Sequence, residues 1–281
     1  MGSKLKKKLV ITGWNGFLGK ELITILRNSY DLLLPNGDLD EIEQWERSLE
    51  GASAIIHIAG CPYARDAKLY DLVNSEGTRR LVAAAEKYGV ERFIFASTRI
   101  KSTCGPYGAS KMKAEEYIRK STLRSVIIRI AEVYDDTFFT ETEVWRTSAV
   151  MQIAKVVQKS LIVPYLADPS ATMAPVHKDD VVECFRAVIE RVSPDNKLYT
   201  LAGPETLSIK EVVQRIVHKF GRKRILVPLP LWIVRRLFWF ASSVLHLGVQ
   251  DQLQRLVCKK DPLSDNVSKE LLLQPRGFLV K

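Results

Sequence analysis

A tyrosine and a lysine four residues apart are the first candidates for chemistry in this sequence. They are Tyr107 and Lys111, within residues 105–111 (GPYGASK). Pro106 suits the first turn of a helix, and residues four apart on a helix share one face. A cation beside a phenol favours the phenolate and lowers the phenol pKa from about 10, so the pair could act as a general acid/base toward a carbonyl or an alcohol. The same spacing also arises by chance on exposed helices.

Two hydroxyl side chains, Ser97 and Thr98, end the apolar run that precedes this helix. The carboxyl ends of strands in an open parallel sheet face the ligand site. Either hydroxyl could therefore hydrogen-bond a substrate oxygen while Tyr107 transfers its proton. Capping of a turn is the alternative role for two hydroxyls at a strand end.

Three glycines, Gly13, Gly16 and Gly19, separate an apolar run that begins at Leu9 from a second apolar segment at residues 17–26. This order of strand, turn and helix is typical of a dinucleotide site. Gly13 would form the tight turn, Gly16 would admit a pyrophosphate to the backbone, and Gly19 would let the helix pack on the strand. Plain turn chemistry is the alternative explanation.

Strand and helix patterns alternate through the first half of the chain, and these elements would position the candidate residues. The predicted strands begin at Leu9 and continue at 30–34, 54–59, 92–97 and 125–130, and the predicted helices cover 17–26, 40–49, 78–88 and 106–120. From about Glu132 helices dominate, at 151–159, 180–191 and 209–220. We therefore predict an α/β fold: a Rossmann-like, doubly wound parallel sheet over residues 1–131, and a smaller, mostly helical C-terminal substrate lobe over residues 132–281, with an interleaved boundary.

The composition limits the partners and the compartment. The 281 residues carry a net charge of +10, which favours anionic partners such as phosphorylated small molecules, nucleic acid or an acidic membrane surface. The basic cluster at residues 219–224 lacks the interleaved aromatic side chains on which single-stranded nucleic acid stacks, so we expect no nucleic-acid partner. The cysteines are widely spaced, at Cys61, Cys104, Cys184 and Cys258. They predict neither a metal site nor a disulfide framework, and they fit a reducing, cytoplasmic compartment.

One region of the second half raises the question of a membrane. Residues 225–249 are apolar but are broken by two prolines and by Arg235 and Arg236. The region falls short of the roughly 20 apolar residues that a span needs, so we predict no membrane span. Phe238, Trp239 and Phe240 are expected to be buried in the small lobe, with contact to a membrane surface or to a partner as the alternative.

Taken together, these motifs resemble those of the extended short-chain dehydrogenase/reductases, and among them the nucleotide-sugar epimerases, dehydratases and reductases. The matching stretches are residues 12–19, 57–60, 97–98, 175–180 and 201–205, together with Asn74, Gly77, Thr78, Tyr107 and Lys111. The resemblance implies that Tyr107 is the catalytic acid/base, that Lys111 tunes it and holds the nicotinamide ribose, and that Thr98 polarises the reacting oxygen.

The resemblance also implies NAD or NADP as the cofactor and a nucleoside-diphosphate sugar as the substrate, and it allows a homodimer. The residues expected at the cofactor are Gly13, Asn15, Gly16, Phe17, Leu18, Asp38, Leu39, Ala59, Gly60, Tyr107 and Lys111, with Asp38 and Leu39 beside the adenine. Residues 33–36 (LLPN), at the tip of the second strand, offer neither the acidic side chain typical of NAD sites nor the arginine typical of NADP sites. Neither cofactor is therefore excluded.

Other features narrow the resemblance or depart from it. The short region 30–40 and the compressed gap between Thr98 and Tyr107 look most like enzymes that reduce 4-keto sugars. Ile130 and Glu132 stand where proline and asparagine are common in the family, and Met173 stands where an arginine often meets the substrate diphosphate. Reductase and epimerase both stay open, as does a non-catalytic protein that binds the cofactor and acts as a sensor or assembly partner.

Overall fold

The computed structural model describes residues 6–136, 148–190, 196–221, 223–243 and 250–279. Arg222 of the basic cluster and the last six residues of the apolar region 225–249 lie outside these ranges.

Strands and helices follow one another along the described residues as the sequence predicts. The strands are β1 (Lys8–Thr12), β2 (Asp31–Leu33), β3 (Ala54–His57), β4 (Arg92–Thr98), β5 (Arg124–Ile130), β6 (Val133–Tyr134), β7 (Ile162–Leu166), β8 (Thr172–Met173), β9 (Val176–His177), β10 (Lys197–Leu201), β11 (Leu207–Ser208) and β12 (Ile225–Leu229). The helices are α1 (Phe17–Leu26), α2 (Ala67–Tyr70), α3 (Gly77–Lys87), α4 (Pro106–Lys120), α5 (Ala149–Lys159), α6 (Lys178–Glu190), α7 (Ile209–Lys219), α8 (Leu231–Ser243), α9 (Gln250–Val257) and α10 (Asn266–Leu271).

Six strands form one parallel sheet in the order β10-β5-β4-β3-β1-β2. Successive side chains of a strand point to opposite faces of the sheet. In β4, Ile94 accordingly packs in one core with Leu22 of α1 and Phe185 of α6, whereas Phe93 packs in the other core with Leu81 of α3. Helices on both faces explain why these strands read as continuous apolar runs, and the doubly wound sheet is confirmed.

The second half of the chain contributes more to the sheet than its helical pattern suggests. β10 pairs with β5 in parallel register, from Lys197 opposite Val126 to Leu201 opposite Ile130, and α6 packs on α1. The small lobe has its own core around α5 and α7 and three two-stranded sheets. The two halves are thus interleaved in space.

Two local predictions differ from the structure. The helix expected at 40–49 is instead two short 3-10 helices, Leu39–Gln44 and Glu46–Leu49. The helix expected from 78 begins eleven residues earlier, at Ala67, and passes through a wide turn at Asp71–Glu76. The Asp66 side chain accepts a hydrogen bond from the Lys68 amide at 2.9 Å, which is an N-cap that fixes this earlier start.

A disulfide joins Cys104 to Cys258, with the Cα atoms 5.7 Å apart. The expectation that no cysteines pair is therefore wrong. Spacing rules detect only cysteines that are close in sequence, whereas this bond spans 154 residues. It ties the short 3-10 helix that precedes α4 to the end of α9.

The prediction that all three aromatic residues of α8 are buried is also wrong. Phe238 packs against the core of the small lobe, but Trp239 and Phe240 are exposed. Neighbouring side chains on a helix point about 100° apart, so three consecutive residues cannot all face one core. Within the described ranges, no helix is both long and apolar enough to cross a membrane.

Candidate active site

A cavity of about 420 Å³ lies at the carboxyl edge of the parallel sheet, between the sheet and the small lobe. Most of the predicted site residues line its wall: Gly13, Gly16, Phe17, Leu18, Ala59, Gly60, Thr98, Tyr107 and Lys111. Asn15, Asp38 and Leu39 do not. Asn15 is exposed on the loop before α1, and Asp38 and Leu39 stand at the start of the first 3-10 helix. Their proposed contacts with the cofactor stay predictions.

The glycine loop has the geometry that a bound pyrophosphate requires. Gly13 has a φ of +74°, and a Cβ there would lie 2.6 Å from the Ala59 nitrogen. A Cβ on Gly19 would lie 2.4 Å from the Gly13 carbonyl oxygen, whereas one on Gly16 would come no closer to protein than 3.2 Å. Gly16 therefore faces the cavity, and within the described ranges no side chain caps the N-terminus of α1. The residues present fit a dinucleotide, because the free amides of the first turn of α1 and the positive end of its dipole would meet the pyrophosphate.

Thr98 and Tyr107 meet at the wall of this cavity. Thr98 ends β4, and Pro106 at the first turn of α4 sets Tyr107 against it. The Thr98 hydroxyl hydrogen-bonds the phenol oxygen of Tyr107, which favours the phenolate. Burial outweighs this bond, so the pKa of Tyr107 is raised above its ordinary value. The phenol is therefore protonated near neutral pH.

Lys111 lies deeper than its spacing from Tyr107 suggests. Its side chain is 5% exposed, and Nζ lies 4.0 Å from the centroid of the Phe95 ring. Burial lowers the pKa of Lys111 to about 7, against an opposing pull from Glu115. Lys111 therefore gives up its proton far more readily than an ordinary lysine in the ligand-free protein.

Asn74 fixes the loop after β3 against α4. Its side-chain amide donates to the Cys61 carbonyl and to the Ser110 hydroxyl, each at 3.1 Å, and its oxygen accepts from the Cys61 amide at 2.7 Å. Asn74 is 1% exposed. Asn74 thereby fixes the distance between the loop that contains Gly60 and the first turns of α4.

Arg255 of α9 is the cation that faces Tyr107, and sequence reasoning did not identify it. Its guanidinium carbon lies 4.1 Å from the centroid of the Tyr107 ring. The group donates to Asp251, to the Pro62 carbonyl at 2.8 Å and to the Tyr70 hydroxyl at 2.7 Å. After burial, the charge of Arg255 is the largest influence on the pKa of Tyr107, and it lowers that pKa. The expectation that Lys111 supplies this effect is corrected accordingly.

Two further cations line the cavity wall, Lys260 from the small lobe and Arg99 from the loop after β4. Lys260 donates to Glu132 at 2.5 Å and to the Thr172 carbonyl at 2.6 Å, and Arg99 donates to the Asp261 carbonyl at 2.6 Å. Lys260, Arg99 and Glu132 all line the cavity. Met173 instead is buried in the core of the small lobe. This part of the wall thus carries Arg99 and a Lys260–Glu132 ion pair, and no arginine stands at position 173.

Comparisons with known proteins agree with this geometry. A model of the NAD-dependent epimerase/dehydratase family matches residues 9–202. The UDP-glucose 4-epimerase of Vibrio cholerae is 23% identical over 272 residues, which cover 82% of this chain and 80% of that protein. Similarity to proteins of known structure is stronger in fold than in sequence.

The structure of MoeE5 in complex with UDP-glucose and NAD has 19% sequence identity and a TM-score of 0.74, and the match covers 97% of this chain and 94% of that one. The structure of dTDP-4-dehydrorhamnose reductase from Bacillus anthracis str. Ames in complex with NADP has 19% identity and a TM-score of 0.70, and the match covers 82% of this chain and 86% of that one. At such identities these structures show a shared fold, and the two proteins hold NAD and NADP respectively.

Proposed function

Because the chain belongs to the NAD-dependent epimerase/dehydratase family, we propose that it is an NAD(P)-dependent oxidoreductase or epimerase that acts on a nucleotide-linked sugar, with Tyr107 as the general acid/base. The observation that supports this most is the meeting of Tyr107 and Thr98 at the wall of the cavity that also receives the glycine loop. Hydride transfer at a carbonyl carbon needs a proton donor, a hydrogen bond to the reacting oxygen and a bound nicotinamide. The phenol, the hydroxyl and the N-terminus of α1 could serve these needs at one cavity.

The protein's own groups would bind and orient both ligands. Gly13, Gly16 and the first amides of α1 would hold the pyrophosphate of NAD or NADP. When bound, the nicotinamide supplies or accepts the hydride at the reacting carbon. Lys111 would donate to the nicotinamide ribose, since it lines the same cavity beside Gly60.

The proton would move between Tyr107 and the reacting oxygen. The single proton of the Thr98 hydroxyl would be donated toward that oxygen, while its lone pairs remain free to accept from the phenol. Because the pKa of Tyr107 is raised by burial, the phenol starts in its protonated form near neutral pH, which suits proton donation to a carbonyl during reduction. Arg99 and Lys260 would face the diphosphate of the substrate, where their positive charges are matched by phosphate oxygens.

Substitution of Tyr107 by Phe tests this assignment. We expect turnover of a panel of UDP- and dTDP-linked 4-keto hexoses with NADH or NADPH to fall by about 10²-fold or more. Cofactor affinity, measured by NADH fluorescence, should stay within about twofold because the ring is kept. Tyr117→Phe, the same change ten residues further along α4, is the matched control and should leave turnover unchanged. Full turnover in Tyr107→Phe would contradict the assignment and favour a sensor or assembly protein.

The nicotinamide content of the purified protein separates the two reactions. An epimerase retains its cofactor through each cycle, whereas a reductase must release the oxidised form. One nicotinamide per chain, measured by absorbance after denaturation, would count against the reductase. Exchange of bound cofactor with free NADH at each turnover would count against the epimerase.

A further inference from the structure

Helix α8 exposes an aromatic face that the fold of the small lobe does not use. Val234 is buried and Phe238 packs on the lobe core. On the other side, Trp232 is 64% exposed, Trp239 61% and Phe240 52%. In the part of the chain that the structure describes, the exposed Trp and Phe side chains all lie on α8. A contiguous exposed aromatic surface of this kind marks an interaction site.

The charges on this face have one sign. Arg235 and Arg236 are exposed beside the aromatic residues, and the sequence of α8 contains no acidic residue. At 100° per residue, Trp232, Arg236 and Trp239 form one row along the helix. The acidic Asp168 lies near Arg235, and its pKa is lowered first by hydrogen bonds from Ser170 and least by that arginine. We name the α8 outer face as Trp232, Arg235, Arg236, Leu237, Trp239 and Phe240.

We propose that the α8 outer face docks on the surface of an anionic lipid bilayer. Trp side chains favour the interface between headgroups and acyl chains, where the ring is apolar and the indole N–H stays hydrated. Arg side chains pair with lipid phosphates. The net charge of +10 adds a long-range attraction to the same surface. The helix would lie in the plane of the interface, with its inner face still packed on the lobe.

Charge argues against a second copy of this chain as the occupant. A two-fold contact through α8 would bring the same face of each copy together. Arg235 and Arg236 of one copy would then face those of the other, with no acidic residue of either helix to neutralise them. Repulsion between two chains of net charge +10 opposes the same contact.

Vesicle flotation tests the proposal without any sugar substrate. The protein is mixed with vesicles of phosphatidylcholine alone or of phosphatidylcholine with one third phosphatidylglycerol, at about 0.1 M salt. We expect partition into the anionic vesicles to exceed partition into the neutral ones by about tenfold, since each basic residue near such a surface adds attraction. Raising the salt to about 0.5 M should weaken the binding by screening.

Two double variants distinguish binding through the α8 outer face from binding through the overall positive charge of the protein. Trp232→Ser combined with Trp239→Ser should lower partition by about tenfold, because the interfacial anchors are gone. Lys20→Gln combined with Lys120→Gln removes two exposed cations of α1 and α4 and should change partition by less than about twofold. Quenching of the parent's tryptophan fluorescence by brominated lipids, lost in the double Trp variant, would locate the contact. Unchanged NADH affinity in both variants shows that they are folded.

Three results would overturn the proposal. The parent could fail to float with anionic vesicles, or the double Trp variant could float as well as the parent. Light scattering could instead show a dimer of the parent that the double Trp variant abolishes in the absence of lipid, which would assign the face to a second copy.

Discussion

The guanidinium carbon of Arg255 lies 4.1 Å from the centre of the Tyr107 ring. The phenol comes from the sheet half of the molecule and the cation from α9 in the small lobe. Asp251, Tyr70 and the Pro62 carbonyl fix the arginine in this place. The small lobe therefore acts directly on the phenol that we propose as the acid/base group, as well as lining the cavity.

Replacing Arg255 with Gln should raise the pKa of Tyr107 further, because its nearest positive charge is lost. Alcohol oxidation needs the phenolate, so its rate at pH 9 should fall by about tenfold for each 1.4 kcal/mol of lost stabilisation. Carbonyl reduction at pH 7 should change less, since it uses the protonated phenol.

The matched control for this change removes both charges of the pair. Asp251 raises the pKa of Tyr107 and Arg255 lowers it, so Asp251→Asn with Arg255→Gln should move the pKa less than Arg255→Gln alone. Arg255→Lys should restore part of the oxidation rate. NMR of ¹³C-labelled tyrosine follows the phenol without any substrate. An unshifted Tyr107 titration in Arg255→Gln would assign the arginine a purely structural role.

Lys111→Met should stabilise the ligand-free protein near neutral pH. The folded-state pKa of Lys111 is about 7, below its ordinary value of 10.5, so the folded state disfavours the charged form. The resulting penalty is fully present below pH 7 and is relieved as the pH rises from about 7 to 10.5. At about 1.4 kcal/mol per pH unit, it is roughly 3–5 kcal/mol.

Urea unfolding of the parent and of Lys111→Met between pH 6.5 and 9.5 measures this. The difference in unfolding free energy should be largest at pH 6.5 and should shrink as the pH rises. NADH affinity should fall in the variant, because the proposed donor to the nicotinamide ribose is lost. A difference that does not depend on pH would show that Lys111 keeps an ordinary pKa.

Substitutions at two glycines of the loop should separate an effect on cofactor binding from an effect on stability. Gly16→Val adds a side chain on the cavity side, where no protein atom lies closer than 3.2 Å to its Cβ. It should weaken NADH binding by at least about tenfold, because backbone and pyrophosphate can no longer approach, while the melting temperature falls less than in Gly19→Ala, since the contact of 3.2 Å with the Gly13 carbonyl oxygen is tight but less severe.

Gly19→Ala should behave in the opposite way. Its Cβ would lie 2.4 Å from the Gly13 carbonyl oxygen, so β1 and α1 must move apart and stability should fall by about 1–3 kcal/mol. Calorimetry together with NADH fluorescence on both variants checks the contrast. Tight NADH binding by Gly16→Val would mean that the pyrophosphate lies elsewhere.

Loss of the disulfide should be measurable in oxidising buffer. Cys104→Ser opens a loop of 154 residues, and the chain-entropy model gives a loss of up to about 5 kcal/mol. Urea unfolding of the parent and the variant should differ without reductant and converge after addition of dithiothreitol. Curves that coincide in both buffers would show that the bond is not formed in solution.

The residues that the sequence predicted for the site lie on consecutive strand, loop and helix units. Gly13 and Gly16 follow β1, Thr98 ends β4, and Tyr107 and Lys111 share α4. Spacing along such units fixes which residues reach the carboxyl edge of the sheet, and all five line the cavity there. Spacing along the chain does not fix how deeply a side chain is buried. The burial of Lys111, and the lowered pKa of Lys111 that results from it, were therefore not predicted.

The remaining features depend on contacts between distant segments. Arg255 reaches Tyr107, and Cys104 meets Cys258, because α9 packs against the start of α4. No local spacing encodes this packing. The exposure of Trp239 and Phe240 is different, since the angle between helical neighbours already forbids burial of three consecutive aromatic residues. That part could have been predicted from the sequence.

Strand β10 has a consequence for synthesis on the ribosome. It completes the sheet beside β5, yet about 70 residues separate the end of β5 at Ile130 from the end of β10 at Leu201. At 5–20 residues per second, β5 waits roughly 4–14 seconds with an open edge before its neighbour emerges. During that interval its unpaired amides and carbonyls can pair with another nascent chain. Slower synthesis of residues 131–201 would lengthen this exposure.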